Sequence, residues 1–158
     1  MSRSPAPLFR DERVTFFGLD HLFVAVWDGA PQLSQMEAMA EHGRAFESSH
    51  GPAALVNIAA DGTPSFSDDV RRISVELTRD PMLFQVARAH VILMTGFAGI
   101  AVRSFINTFL LLGRPPRPTR MLASIEEAAA WLPPFLPEGA WTPETLAESV
   151  EALMSART

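Results

Sequence analysis

The chain of 158 residues has no cysteine, which removes disulfide frameworks and thiolate chemistry. It has no lysine either, all 13 basic residues being arginine. Schiff-base catalysis and the lysine of a phosphate-binding P-loop are thereby excluded. The opening stretch, MSRSPAPLFRDERV, lacks the apolar core of a secretory signal. We therefore expect a flexible tail over residues 1–12 and a cytoplasmic protein. There is no internal repeat, and a net charge of −5 argues against a nucleic-acid partner. The histidines, His21, His42, His50 and His90, show no metal-ligand spacing. No metal or cofactor is expected.

What is present is an ordinary globular composition, 47% hydrophobic and 20% charged, sized for one domain. The organising stretch is HVILMTGFAGIAVRSFINTFLLLGRPPRPTRML, residues 90–122. Residues 91–94 are an apolar run short enough for a buried strand. Thr95-Gly96-Phe97-Ala98-Gly99 follows as a turn. Then Ala98, Val102, Phe105, Ile106, Phe109 and Leu112 recur at helical spacing. Gly113 stands where a C′ glycine ends a helix, and the prolines behind it prevent continuation. Met121 and Leu122 begin a return strand, which completes a βαβ unit. The rival reading is a membrane span, since residues 91–112 number 22. Arg103 near the middle would cost roughly 2.5–3.5 kcal/mol there, so strand and helix are preferred.

Before this stretch, Val14–Leu19 and Leu22–Trp27 read as a hairpin. Ser34 and Glu37 have capping-box spacing for a first helix carrying Met36, Met39, Ala40 and Phe46. Residues 53–59 read as an apolar strand. Ser67 reads as the N-cap of a second helix with Asp68 and Asp69 in its first turn. Val70, Ile73 and Leu77 form its buried face, and Asp80-Pro81 suggests one more helical turn. After Leu122, Ser124 and Glu127 open a helix, SIEEAAAWL, that Pro133-Pro134 ends. Thr142-Pro143-Glu144 starts a last helix with Leu146, Val150, Leu153 and Met154 on one face. The expected fold is α/β: a mixed sheet of four to five strands in the order β-β-α-β-α-β-α-β-α, with an extra C-terminal helix. The body is expected over residues 13–133, with a linker and amphipathic helix over 134–158.

That order, together with the strand VILM, its helix, a short strand and SIEEAAAWL closing on Ala130-Trp131-Leu132, resembles the STAS-like domains over residues 14–132. The resembling branch is the anti-sigma-factor-antagonist-like one, which is similar to lipid-binding Sec-type domains. The resemblance implies a bacterial, non-enzymatic regulatory or ligand-binding domain. It also implies a phosphorylatable serine at the start of the second main helix, which here means Ser65 or Ser67. The family's own motif is missing, and Asp68 and Asp69 would repel an added phosphate.

No catalytic set emerges. Ser65 and Ser67 lack a G-x-S-x-G elbow, and His42 is the one histidine placed to face a pocket. Gly96 and Gly99 suggest a phosphate loop but lack its first glycine, so close packing explains them better. Arg114, Arg117 and Arg120 put three guanidiniums within seven residues, suited to an anion or a lipid headgroup. Leu110 falls with Arg103 and Asn107, and Leu111 with Ser104 and Thr108, on the polar side of the 98–112 helix, which marks a partner surface. The C-terminal helix is the candidate to cover it, in the same chain or in a second copy. The leading expectation is protein–protein binding, with homodimerisation. The alternative is a small-molecule or lipid binder with a pocket beside the 98–112 helix.

Overall fold

A computed structural model describes residues 5–157. The hairpin is β2 (Val14–Leu19) and β3 (Leu22–Trp27), preceded by a short β1 (Phe9–Arg10). Then follow α1 (Leu33–His50), β4 (Ala54–Ala59), α2 (Asp68–Arg79), β5 (Arg88–Ile92), α3 (Gly96–Gly113) and β6 (Thr119–Leu122). The chain closes with α4 (Ile125–Trp131), a 3-10 turn (Pro133–Phe135) and α5 (Pro143–Ala156). The α/β class is as expected.

Among the described residues the sheet has six strands in chain order, β1-β2-β3-β4-β5-β6, so the expected count of four to five is corrected. The additional strand comes from the expected tail, where Phe9 and Arg10 pair antiparallel with Phe16 and Thr15. Residues 1–4 of that tail lie outside the described residues. β2 and β3 are antiparallel, whereas β3 through β6 run parallel. Parallel neighbours need crossovers, and right-handed crossovers between successive strands place their helices on one face. Thus α1, α2 and α3 cover one face of the sheet. The helices α4 and α5 cover the other.

Several local expectations shift. The cap of α1 lies at Gln32, whose N–H donates to Gln35 Oε1 at 3.0 Å. Gln35 wins over Ser34 and Glu37 because its amide also reaches Asp11, which ties the helix start to the β1–β2 turn. Ser67 does cap α2, accepting from the Val70 N–H at 3.2 Å. No further helical turn forms at Asp80-Pro81, because Asp80 instead closes α2 and accepts from the Met82 N–H. β5 begins at Arg88 and not at 91, since the sheet buries Arg88 and His90 along with their apolar neighbours. Gly113 is still helical. The left-handed cap is Arg114 at φ 50°, while a Cβ at Gly113 would stand 2.7 Å from Thr78 Cγ2 on α2. That glycine serves helix contact. Gly99 likewise packs tightly, its absent Cβ lying 2.3 Å from the Met94 carbonyl oxygen.

The C-terminal helix does not cover α3. Leu146, Val150 and Leu153 are buried with Leu132 and Leu136 against the opposite face of the sheet. Trp141 donates to the Asp20 carbonyl at 2.7 Å, and Arg157 pairs with Asp28 at 3.0 Å. The continuous apolar face of α5 goes where the sheet still offers uncovered apolar surface.

Between α2 and β5 the chain makes an irregular loop that buries Leu83 and Phe84, and two buried charges satisfy it. Glu47 on α1 accepts from the N–H groups of Phe84 (2.6 Å), Gln85 (2.9 Å) and Ala53 (2.9 Å). Arg88 donates to the carbonyls of Thr78, Asp80 and Leu83. Phe84 is held at φ 50°, a conformation that costs a bulky residue free energy. Removing a partner of such a network orphans buried donors at about 1–3 kcal/mol each. Glu47→Ala should therefore lose about 3 kcal/mol or more, read as a lower urea midpoint at unchanged slope. Glu47→Gln keeps one acceptor oxygen and should lose less.

Candidate functional site

The α1–α3 face carries a gap in its helical cover. Side chains alternate along the strands, so this face shows Trp27 on β3, Asn57 on β4, and Arg88 and His90 on β5. The register sets Asn57 directly beside His90 and Leu55 beside Arg88. Above them α2 contributes Ser74 and Thr78, and α3 contributes Val102, Phe105, Ile106, Phe109 and Leu110. The result is a cleft of about 100 Å³ that opens to solvent.

Its mouth lies at the carboxyl ends of β3, β4 and β5, among the loops carrying Gly29, Ala30, Asp61, Gly62 and Met94. Open parallel sheets bind ligands at that end. The loops after β3 and β4 touch glycine to glycine there. A Cβ at Gly62 would lie 2.6 Å from Gly29 Cα. From the mouth inward runs a chain of rings. Phe66 stacks on Phe105 with centroids 3.8 Å apart, Phe105 meets Phe109 edge-on, and Phe109 meets His90 at 5.5 Å.

The floor is polar and ordered. Trp27 Nε1 donates to Asn57 Oδ1 at 2.7 Å, and Asn57 Nδ2 faces His90 Nδ1 at 3.1 Å. Arg88 and Ser74 are 3% and 2% exposed. Arg88 Nε and Ser74 Oγ have no hydrogen-bond partner among the described residues. A neighbouring carboxylate could neutralise Arg88, but none of the ion pairs among the described residues includes it. Burial lowers the Arg88 guanidinium pKa, while the charges of Asp80 and Glu47 counter that effect. Burial also drives His90 down from 6.5 to about 4, and the Arg88 charge adds to the effect. His90 is therefore a neutral ring at physiological pH.

The residues singled out from sequence are distributed differently. Leu110 is half-buried and lines the cleft. Leu111 is 78% exposed, and Asn107 is exposed beside it. Arg103 and Arg120 share a second, shallower concavity with Glu127 and Trp131. Arg114 is exposed at its helix cap, and Arg117 donates to the Pro81 carbonyl at 3.3 Å. Neither Arg114, Arg117 nor Arg120 lines the main cleft. Ser65 and Ser67 are both exposed. His21 holds the hairpin turn at φ 61°. His42 packs on Phe9 and Phe16, away from the cleft. His50 stacks on Phe46. No group of acidic or histidine side chains among the described residues is arranged to hold a metal ion.

Asn57, His90, Arg88, Ser74 and Trp27 were not singled out from sequence. The available signal was polar residues set among apolar ones in two strands, Asn57 in ALVNIA, and Arg88 and His90 in RAHVI.

The depressed His90 pKa has a stability consequence. The unfolded chain takes up a proton near pH 6.5 and the folded one only near 4. The His90 contribution is thus complete above about pH 6.5 and is lost as pH falls toward 4, by at most about 3 kcal/mol. The stability gap between wild type and His90→Phe should shift against wild type over that window. Urea unfolding at several pH values measures it. Asp11 and Asp80 carboxyls, which burial raises but hydrogen bonds and nearby arginines hold below their ordinary values, contribute to both proteins and cancel.

Comparison of the chain with protein-family models, with curated proteins and with solved structures gives no match.

Proposed function

We propose that this chain is a non-enzymatic binding domain that holds a small, largely apolar molecule in the cleft beside α3. The observation that carries this reading is an aromatic and aliphatic channel, closed by a polar floor, at the carboxyl ends of parallel strands. Walls of that kind recover free energy from apolar burial while a few polar groups fix orientation. The floor is suited to holding and not to proton transfer. A histidine with a pKa of about 4 is a weak base at neutral pH, and its side-chain hydrogen bond among the described residues is to Asn57, not to a hydroxyl nucleophile.

The reading is tested with N-phenyl-1-naphthylamine, an uncharged probe that brightens in apolar surroundings. It should brighten with the wild-type protein. Ala59→Leu, which fills the cleft from its β4 edge, should weaken probe binding by about tenfold at unchanged melting temperature. No brightening with wild type would overturn the reading.

A second reading rests on α3 itself. Phe97 (93% exposed), Ile100 (63%), Leu111 (78%) and Leu112 (57%) put large apolar side chains in water. They stand on the one helix among the described residues long and apolar enough to cross a membrane. Its Val102, Ile106 and Phe109 nonetheless pack against protein. The second reading is a cytoplasmic, STAS-like regulatory domain that docks through α3, first of all on a second copy of itself. Arg103, Asn107, Leu110 and Leu111 would meet the partner, and Ser65 or Ser67 would carry a modification. Light scattering should then find a dimer that Leu111→Glu converts to a monomer. A wild-type monomer would count against it.

A further inference from the structure

The cleft floor specifies the chemistry of its ligand, an inference that rests on the ligand-binding reading above. An indole N–H can only donate. Trp27 Nε1 therefore identifies the Asn57 atom at 2.7 Å as the oxygen, which turns the Asn57 amide N–H2 toward His90 Nδ1 at 3.1 Å. An amide N–H2 also only donates, so Nδ1 must accept and carries no hydrogen. The neutral ring then holds its proton on Nε2, in a residue that lines the cleft. A protonated ring would set two donors against each other at Nδ1, so the same contacts that choose the tautomer oppose the cation.

Two further donors belong to residues that line the same cleft. The Ser74 hydroxyl and the Arg88 Nε–H are buried and have no hydrogen-bond partner among the described residues. Buried polar groups are nearly always satisfied, so an unsatisfied pair of this kind points to a ligand that completes it. The guanidinium adds charge. Its other nitrogens bond to backbone carbonyls, which leave the positive charge in place. Asp80 is engaged by Arg44, and Glu47 by backbone N–H groups. The anionic group lining the cleft is Asp61, exposed on the loop after β4 at the mouth. It disfavours an anion at the mouth and leaves the floor as the favourable end.

We propose that the cleft takes an apolar carboxylic acid as its anion, tail toward the mouth, with the carboxylate accepting from His90 Nε2–H, Arg88 Nε–H and the Ser74 hydroxyl. A charge-assisted acceptor meets three donors, and the tail lies along Phe109 and Phe105.

The test uses the intact protein with N-phenyl-1-naphthylamine bound, displaced by octanoate, octanol or octylamine at neutral pH. The three share a tail and differ in the head. Octanoate should displace the probe at a concentration about tenfold or more below octanol, and octylamine should be weakest. Ser74→Ala should reduce the octanoate advantage over octanol several-fold, and His90→Phe should abolish it. Nitrogen-15 spectra should show His90 protonated at Nε2 and not at Nδ1, with Nε2 shifting on octanoate addition. If the probe binds but octanoate and octanol displace it equally, or if Nδ1 carries the proton, the carboxylate assignment is overturned while the cleft stands. A protein that binds none of these molecules overturns both. The spectra and Ser74→Ala decide the matter even if His90→Phe does not fold.

Discussion

The structure depends on two buried, opposite charges that share one loop. After exposed Pro81 and Met82, residues 83–87 turn inward between α2 and β5, where buried backbone groups cannot reach bulk water. Glu47 takes the loop's N–H groups and Arg88 takes its carbonyls. Neither ion touches the other. Each is compensated by peptide dipoles of the sign it needs, which is how an ion can be buried without a direct partner. The clamp fixes where β5 starts. Because Arg88 belongs to the clamp and is two residues from His90, it also fixes the floor of the cleft. Fold stability and the proposed ligand recognition would thus share one guanidinium, whose Nη atoms bond within the fold while Nε has no partner among the described residues.

The position of the cleft follows from topology. Parallel strands laid down in chain order put α1, α2 and α3 on the same face, side by side. Three helices over one twisted sheet do not close completely. α2 and α3 approach closely where Gly113 meets Thr78, and the space remains at the carboxyl ends of the strands. α2 presents buried residues of modest size there, with Val70, Ser74 and Thr78 facing inward. Larger side chains at Ser74 and Thr78 would close the cavity that Phe105 and Phe109 border.

The fold was largely legible, because apolar periodicity and turn chemistry agree along most of the chain. The hairpin boundaries, the Ser67 cap and the inward face of α5 all follow from local rules. What escaped was tertiary. β1 is two residues long and carries no periodicity of its own. The Gln35 cap depends on Asp11, a residue distant in sequence. The C-cap moved because Gly113 answers to Thr78 on another helix. The site was less legible still. Isolated polar residues in apolar strands look like interruptions until register sets Asn57 beside His90, and only then do Trp27, Arg88 and Ser74 acquire a shared purpose. Clustered arginines stand out in sequence because charge density is visible in one dimension, and convergence is not.

The sheet's strand order has a consequence for how the protein is made. Each strand after the first pairs with the one synthesised just before it. A nascent chain can therefore extend the sheet from one side only, with no gap held open for a later insertion. The growing border is always the newest strand, shielded in turn by the next. Among the described residues the two borders are a two-residue and a four-residue segment, each bearing an arginine. Short, charged margins of this sort resist pairing with a neighbouring ribosome's product.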